Sequence, residues 1–131
     1  MAAEQNAVTK QISMAYNEIT ADRIRTVLGQ KQVAFTEKKM FSGVCFMVDD
    51  KMLCGTHIDK KSGEDFLLCR LSPADYELAL ETNGVVPMDM GGKTMKGYVF
   101  VTAEAHKTEK QLAGWLQRCL DFNPLAKSSK K

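Results

Sequence analysis

One apolar stretch, residues 37–55, constrains the fold of this chain more than any other segment. Its centre predicts two β-strands, over residues 44–48 and 52–56, joined by a tight polar turn. The turn is centred either on Asp49-Asp50 or on Asp50-Lys51, because neither pair is the strong Asn-Gly or Asp-Gly signal. The stretch therefore predicts a hairpin at the centre of the domain.

Alternation along this hairpin divides its side chains between two faces. One face is expected to lie on helices and carries Val44, Phe46, Val48 and Leu53. The other face is rich in sulfur and carries Cys45, Met47, Met52 and Cys54. We expect another element of the chain, or a second subunit, to cover this second face.

Periodicity and capping signals predict the remaining elements. Helices are predicted over residues 18–28, from Ser72 to Asn83-Gly84, and over residues 108–122, with Gly29 as a left-handed cap of the first helix. Further strands are predicted over residues 33–39, 66–71 and 95–101, whereas Pro87 and a glycine pair predict a loop over residues 85–94. Short connections between the early strands favour an α+β domain with an antiparallel central sheet of about five strands and three helices.

Composition and charge limit the functional classes. The 131 residues suffice for one domain, and no apolar run approaches the ~20 residues of a membrane-spanning helix. The formal net charge is +2, but without Lys127, Lys130 and Lys131 the chain has 15 basic and 16 acidic residues. DNA binding is therefore expected only weakly and through this lysine tail. The first ten residues do not resemble a secretory signal, so we expect a cytoplasmic protein without membrane contact.

The cysteines and histidines form no recognisable catalytic or metal-binding motif. Cys54 and His57 have the spacing of half a zinc site, but a structural zinc needs four ligands and no second close pair exists. The four cysteines fall in apolar strand or helix patterns, which predicts free thiols packed in the core. We expect no metal, no cofactor and no enzymatic activity.

Lysines near two strand ends predict a binding surface. Lys38 and Lys39 precede the hairpin and Lys93 and Lys96 flank the last strand, so we expect all four to gather on one rim. The alternative is that they are solvated lysines that discourage edge pairing. With its neighbours, the predicted surface comprises Lys38, Lys39, Met40, Phe41, Gly43, Lys93, Lys96 and Tyr98.

Two segments are distinctive in combination: Lys38-Lys-Met-Phe-Ser-Gly43 and Met95-Lys-Gly-Tyr-Val99, and Lys51-Met-Leu-Cys-Gly55 lies between them. With them the chain resembles the TfoX N-terminal domain family over residues 14–122. The family is bacterial and is named after a regulator of natural competence. The resemblance implies an α+β domain with a central antiparallel sheet and no established activity or cofactor. It also implies a stand-alone member, without the second domain that the full regulator carries.

The expected organisation is an N-terminal extension (residues 1–13), one domain (residues 14–123) and a basic tail (residues 124–131). The expected function is a small cytoplasmic protein-interaction or regulatory module, monomeric or homodimeric, with an unidentified protein partner. One alternative is a small-ligand-binding or enzymatic domain that uses a groove beside residues 40–43 and 93–98. The other is weak DNA binding through the lysine tail.

Overall fold

A computed structural model describes residues 16–40, 43–90 and 92–126. Within these ranges the chain forms an α+β fold, as predicted, with an antiparallel sheet of six strands. The helices are α1 (Glu18–Gln30), α2 (Pro73–Leu80) and α3 (Glu109–Phe122). The strands are β1 (Thr36–Met40), β2 (Gly43–Val48), β3 (Lys51–Ile58), β4 (Asp65–Arg70), β5 (Val85–Met90) and β6 (Lys93–Val101). Their order across the sheet is β1-β2-β3-β4-β6-β5, so β1 and β5 form its two edges.

The predicted hairpin is formed by β2 and β3, and its turn is centred on Asp49-Asp50. Val48 pairs with Lys51, which leaves two residues in the turn. Asp49 and Asp50 have φ angles of 58° and 62°. Positive φ at both central residues is typical of the type I′ turn, whose twist matches that of the flanking strands.

An irregularity in this hairpin redirects one cysteine. Phe46 pairs with Cys54 whereas Met47 pairs with Met52, so Leu53 is an extra residue on β3. Such a bulge interrupts the alternation of side chains along the bulged strand. Leu53 and Cys54 both pack in the core beneath the helices. The expectation that Cys54 shares a face with Cys45 is therefore wrong.

The helix face of the sheet carries the larger core. The apolar stripe of α3 is buried against it, and Ser72 and Thr108 cap α2 and α3 as predicted. Gly29, by contrast, lies inside α1, and the left-handed residue follows the helix at Gln32, with a φ of 60°. The buried helical members of this core are Ala21, Ile24, Val27, Leu28, Tyr76, Ala79, Leu112, Trp115, Leu116 and Cys119.

The opposite side, here called the sulfur face, contains a second buried cluster. Its buried members are Cys45, Met47, Met52, Leu68, Met88 and Phe100. The ring of Phe100 stacks on Phe66 and His57, with centroid distances of 5.0 and 4.9 Å. None of the described members of this cluster comes from a helix, so its buried side chains all belong to strands of the sheet.

The loop predicted over residues 85–94 is wrong, because Val85–Met90 forms the edge strand β5. Pro87 lacks an N–H group, which an edge strand tolerates because one side of its backbone has no neighbouring strand. The pairing of β5 with β6 shifts register between Pro87 and Asp89. The proline and glycine residues that indicated a loop therefore belong to or flank a short, irregular strand.

Candidate functional site

The structure separates the residues that were predicted to form one surface. Strands β2, β3 and β4 lie between β1 and β6. The paired registers place Lys38 level with Phe100, near the end of β6, whereas Lys93 and Lys96 lie at its start. The four lysines therefore do not gather on one rim. Phe41 and the tail lysines Lys127, Lys130 and Lys131 lie outside the described residues, so their roles stay predictions.

Gly43 has a packing role in the hairpin. It is buried and pairs with Met40 at the start of β2. A Cβ atom at this position would overlap the carbonyl oxygen of Thr56 and the side chain of His57. The Gly43 of the predicted surface is thus needed for the close approach of β2 and β3.

Lys38, Lys39 and Met40 of the predicted surface lie on the edge strand β1. Thr36, Glu37, Lys38 and Lys39 are exposed, and only Met40 is partly buried. Lys38 is paired with Cys45 and therefore shares the sulfur face, whereas Lys39 is paired with Val44 on the helix face. An edge strand presents unpaired backbone N–H and C=O groups along its outer side. This edge thus combines backbone hydrogen-bonding groups with a positive charge on each face.

Lys96 and Tyr98 of the predicted surface, but not Lys93, line a groove at the other end of the sheet. This groove, here called the Arg70 groove, has a volume of about 420 Å³. Its floor and walls come from the end of β4, from β6 and from α2, with Phe122 at the end of α3. Its lining residues are Arg70, Leu71, Pro73, Tyr76, Glu77, Lys96, Gly97, Tyr98 and Phe122.

Arg70 is the unusual residue of this groove. Its guanidinium carbon lies 5.5 Å from the centroid of the Tyr98 ring, a distance at which a cation–π contact helps to orient the side chain. Its Nη1 atom is buried without a hydrogen-bond partner, and none of the ion pairs among the described residues includes it. The groove therefore contains a cation with one buried donor that no hydrogen bond among the described residues satisfies. The sequence signal for this site is the charge of Arg70 inside an otherwise apolar strand pattern.

A second groove of about 610 Å³ lies between the start of α3 and the turn after α2. Several of its polar side chains contact the protein itself. Trp115 donates a hydrogen bond to the Ala105 carbonyl oxygen at 3.1 Å, and Gln111 completes the capping box of α3. Arg118 stacks on the Trp115 ring at 4.8 Å. None of its described lining residues has a buried side-chain nitrogen or oxygen without a hydrogen-bond partner, in contrast to Arg70.

The cysteines are buried, as predicted, and their surroundings do not favour nucleophilic chemistry. Burial raises the pKa of Cys45 to about 12 and raises the pKa values of Cys54 and Cys69 well above that of a free thiol. Such thiols stay protonated near neutral pH, whereas a reactive cysteine needs a lowered pKa. Cys54 also lies on the helix face, whereas His57 stacks on the sulfur face. The two residues with the spacing of half a zinc site therefore lie on opposite faces of the sheet.

The TfoX N-terminal domain model matches residues 28–123, which is most of the chain. The chain belongs to the TfoX N-terminal domain family. The match includes all six strands, α2 and α3, and thus both ends of the sheet described above. Searches against curated proteins and against solved structures gave no match.

None of the helices in the described ranges is long and apolar enough to span a bilayer.

Proposed function

We propose that this TfoX N-terminal domain is a cytoplasmic regulatory module that binds an extended segment of a partner protein along the outer edge of β1. The observation that carries the proposal is the exposed edge itself, where four of five side chains are exposed. An extended peptide can add a strand to such an edge, with backbone hydrogen bonds for affinity and side chains for specificity.

Charge favours an acidic partner segment. Lys38 and Lys39 project to opposite faces of β1, so a peptide paired with this strand would have a lysine close to it on either face. Glu37 is already paired with Arg25, with an Oε2–Nε distance of 2.7 Å. Its carboxylate is thus engaged with α1, whereas none of the ion pairs among the described residues includes Lys38 or Lys39.

The other edge of the sheet is less suitable for pairing. Pro87 removes a backbone donor from β5, and the register shift beside it makes the strand irregular. The family takes its name from a competence regulator, which supports a regulatory role. Four free cysteines suit the reducing conditions of the cytoplasm.

Charge reversal on β1 tests this proposal. The tagged full chain is used to capture partners from source cells, in parallel with K38E/K39E and with K60E/K61E. The second variant is a matched control, because Lys60 and Lys61 are an exposed lysine pair in the β3–β4 loop. We expect a partner whose recovery falls about tenfold with K38E/K39E and is unchanged with K60E/K61E.

Hydrogen exchange then locates the contact. With the purified partner, the outward-facing backbone amides of β1 are expected to become protected, because strand addition places them in hydrogen bonds. If no captured protein depends on the β1 lysines, or if β1 exchanges equally with and without the partner, the proposed function is wrong.

A further inference from the structure

The Arg70 groove lies at the end of the sheet away from Lys38 and Lys39, and the proposed function does not use it. We propose that it binds a small organic anion with a carboxylate or phosphate head and an aromatic or apolar body. Binding here is independent of partner binding at the β1 edge.

The head group is assigned by the charges in the groove. Arg70 and Lys96 contribute two cations, and Glu77 contributes one exposed carboxylate. The guanidinium is planar, remains charged and presents paired donors that match the oxygens of a carboxylate or phosphate. The buried Nη1 donor of Arg70 has no hydrogen-bond partner among the described residues, which costs stability, and a bound anion would offset this cost.

The body of the ligand is assigned by the walls. Tyr76 and Phe122 belong to helices on the helix face, Tyr98 to the sheet, and Pro73 to the first turn of α2. These rings and the side chain of Leu71 provide an apolar lining around the polar end of the groove. Small-molecule sites typically combine such a lining with a few polar groups in a volume of about 300–1,000 Å³. The groove lies within this range.

Gly97 helps to shape the site. Its φ angle is 91°, and its carbonyl oxygen accepts a hydrogen bond from the Leu71 amide at 2.8 Å. This contact ties β6 to the segment that joins β4 to α2. It therefore places Lys96 and Tyr98 beside Arg70 in the folded protein.

NMR titration of the full chain with phenylacetate tests the proposal, with neutral phenylacetamide as the uncharged counterpart and phenyl phosphate as the second anion. We expect the amide signals of Leu71, Glu77, Gly97 and Tyr98 to shift with the anions. Phenylacetamide is expected to bind at least about tenfold more weakly, because charge-assisted hydrogen bonds are lost. The anion that binds with the higher affinity shows whether the site prefers a carboxylate or a phosphate head group.

Two variants and one control assign the binding to Arg70. R70Q is expected to weaken binding about tenfold or more, and K96Q, at an exposed position, to weaken it by a smaller factor. R118Q removes an arginine that also stacks on an aromatic ring, but in the other groove, and should bind as the wild type does. Because K96Q tests the same site at the surface, the result does not depend on R70Q alone.

Three results would overturn the inference. They are the absence of shifts in the groove at millimolar anion, equal binding of phenylacetamide, and unchanged affinity in both R70Q and K96Q. Loss of partner capture by K38E/K39E with intact anion binding would separate this site from the β1 edge.

Discussion

At Gly43 the fold excludes every side chain larger than a hydrogen atom. The residue was predicted to belong to a binding surface, but its closest neighbour is the backbone of β3. Gly29 and Gly114 lie in helices and have open space where a Cβ atom would be placed. The same substitution should therefore have opposite effects at these positions.

We expect Gly43→Ala to lower the free energy of unfolding by about 1–3 kcal/mol, because the added methyl group forces β2 and β3 apart. Gly29→Ala and Gly114→Ala should raise it by about 0.5–1 kcal/mol, because alanine loses less backbone entropy in a helix. Urea unfolding of the three variants measures the difference. Equal stability of Gly43→Ala and the wild type would show that the strands can separate at no cost.

Among the elements, α1 and β1 are joined by one arginine. Arg25 donates to Glu37 through Nε and Nη2, at 2.7 and 2.9 Å, and Nη1 contacts Glu18 and Asp22. These hydrogen bonds from Arg25 lower the pKa of Glu37. The β1 edge is therefore held to the helix layer by charge as well as by pairing with β2.

Arg25→Met should lower the free energy of unfolding by about 1 kcal/mol at pH 7, because pairs this exposed contribute little each. A lowered carboxylate pKa gives stability that is present above the ordinary glutamate value, about 4.3, and is lost as the pH falls through the lowered value. The difference from the wild type should thus shrink below about pH 4. Urea unfolding across pH measures this.

Lys31→Met is the control for this prediction. Lys31 donates to the neutral Gln117 side chain at 2.7 Å, so its replacement should show no such trend between pH 7 and pH 3. A loss in Arg25→Met that stays constant with pH would mean that the contacts of the arginine are steric rather than electrostatic.

Over the whole molecule, local sequence signals predicted much of the fold, because caps, turns and periodic stripes depend on neighbouring residues. Ser72 and Thr108 cap helices as their sequences indicate. The bulge at Leu53 and the strand around Pro87 depend on pairing with a distant strand, and no local pattern specifies them. The order of strands across the sheet also depends on distant pairing. The sequence therefore did not show that three strands separate Lys38 and Lys39 from Lys93 and Lys96.

The two edges of the sheet should differ in how readily they pair with other molecules. We expect Pro87→Val to make β5 a regular edge and to increase self-association, because proline is one of the features that protect edge strands. Sedimentation velocity over a range of concentrations measures this. Val86→Thr is the control, since Val86 is the exposed neighbour on the same strand. Identical sedimentation of Pro87→Val and the wild type would show that proline does not protect this edge.

Cys54, Cys69 and Cys119 are buried between the sheet and the helices, which has a consequence for the timescale of motion. A thiol reagent in solution can modify these sulfurs only after the core has opened. When reagent is plentiful and modification is faster than reclosing, the labelling rate equals the rate of opening. Labelling of the native cysteines thus measures the rate at which the core opens, without an introduced probe.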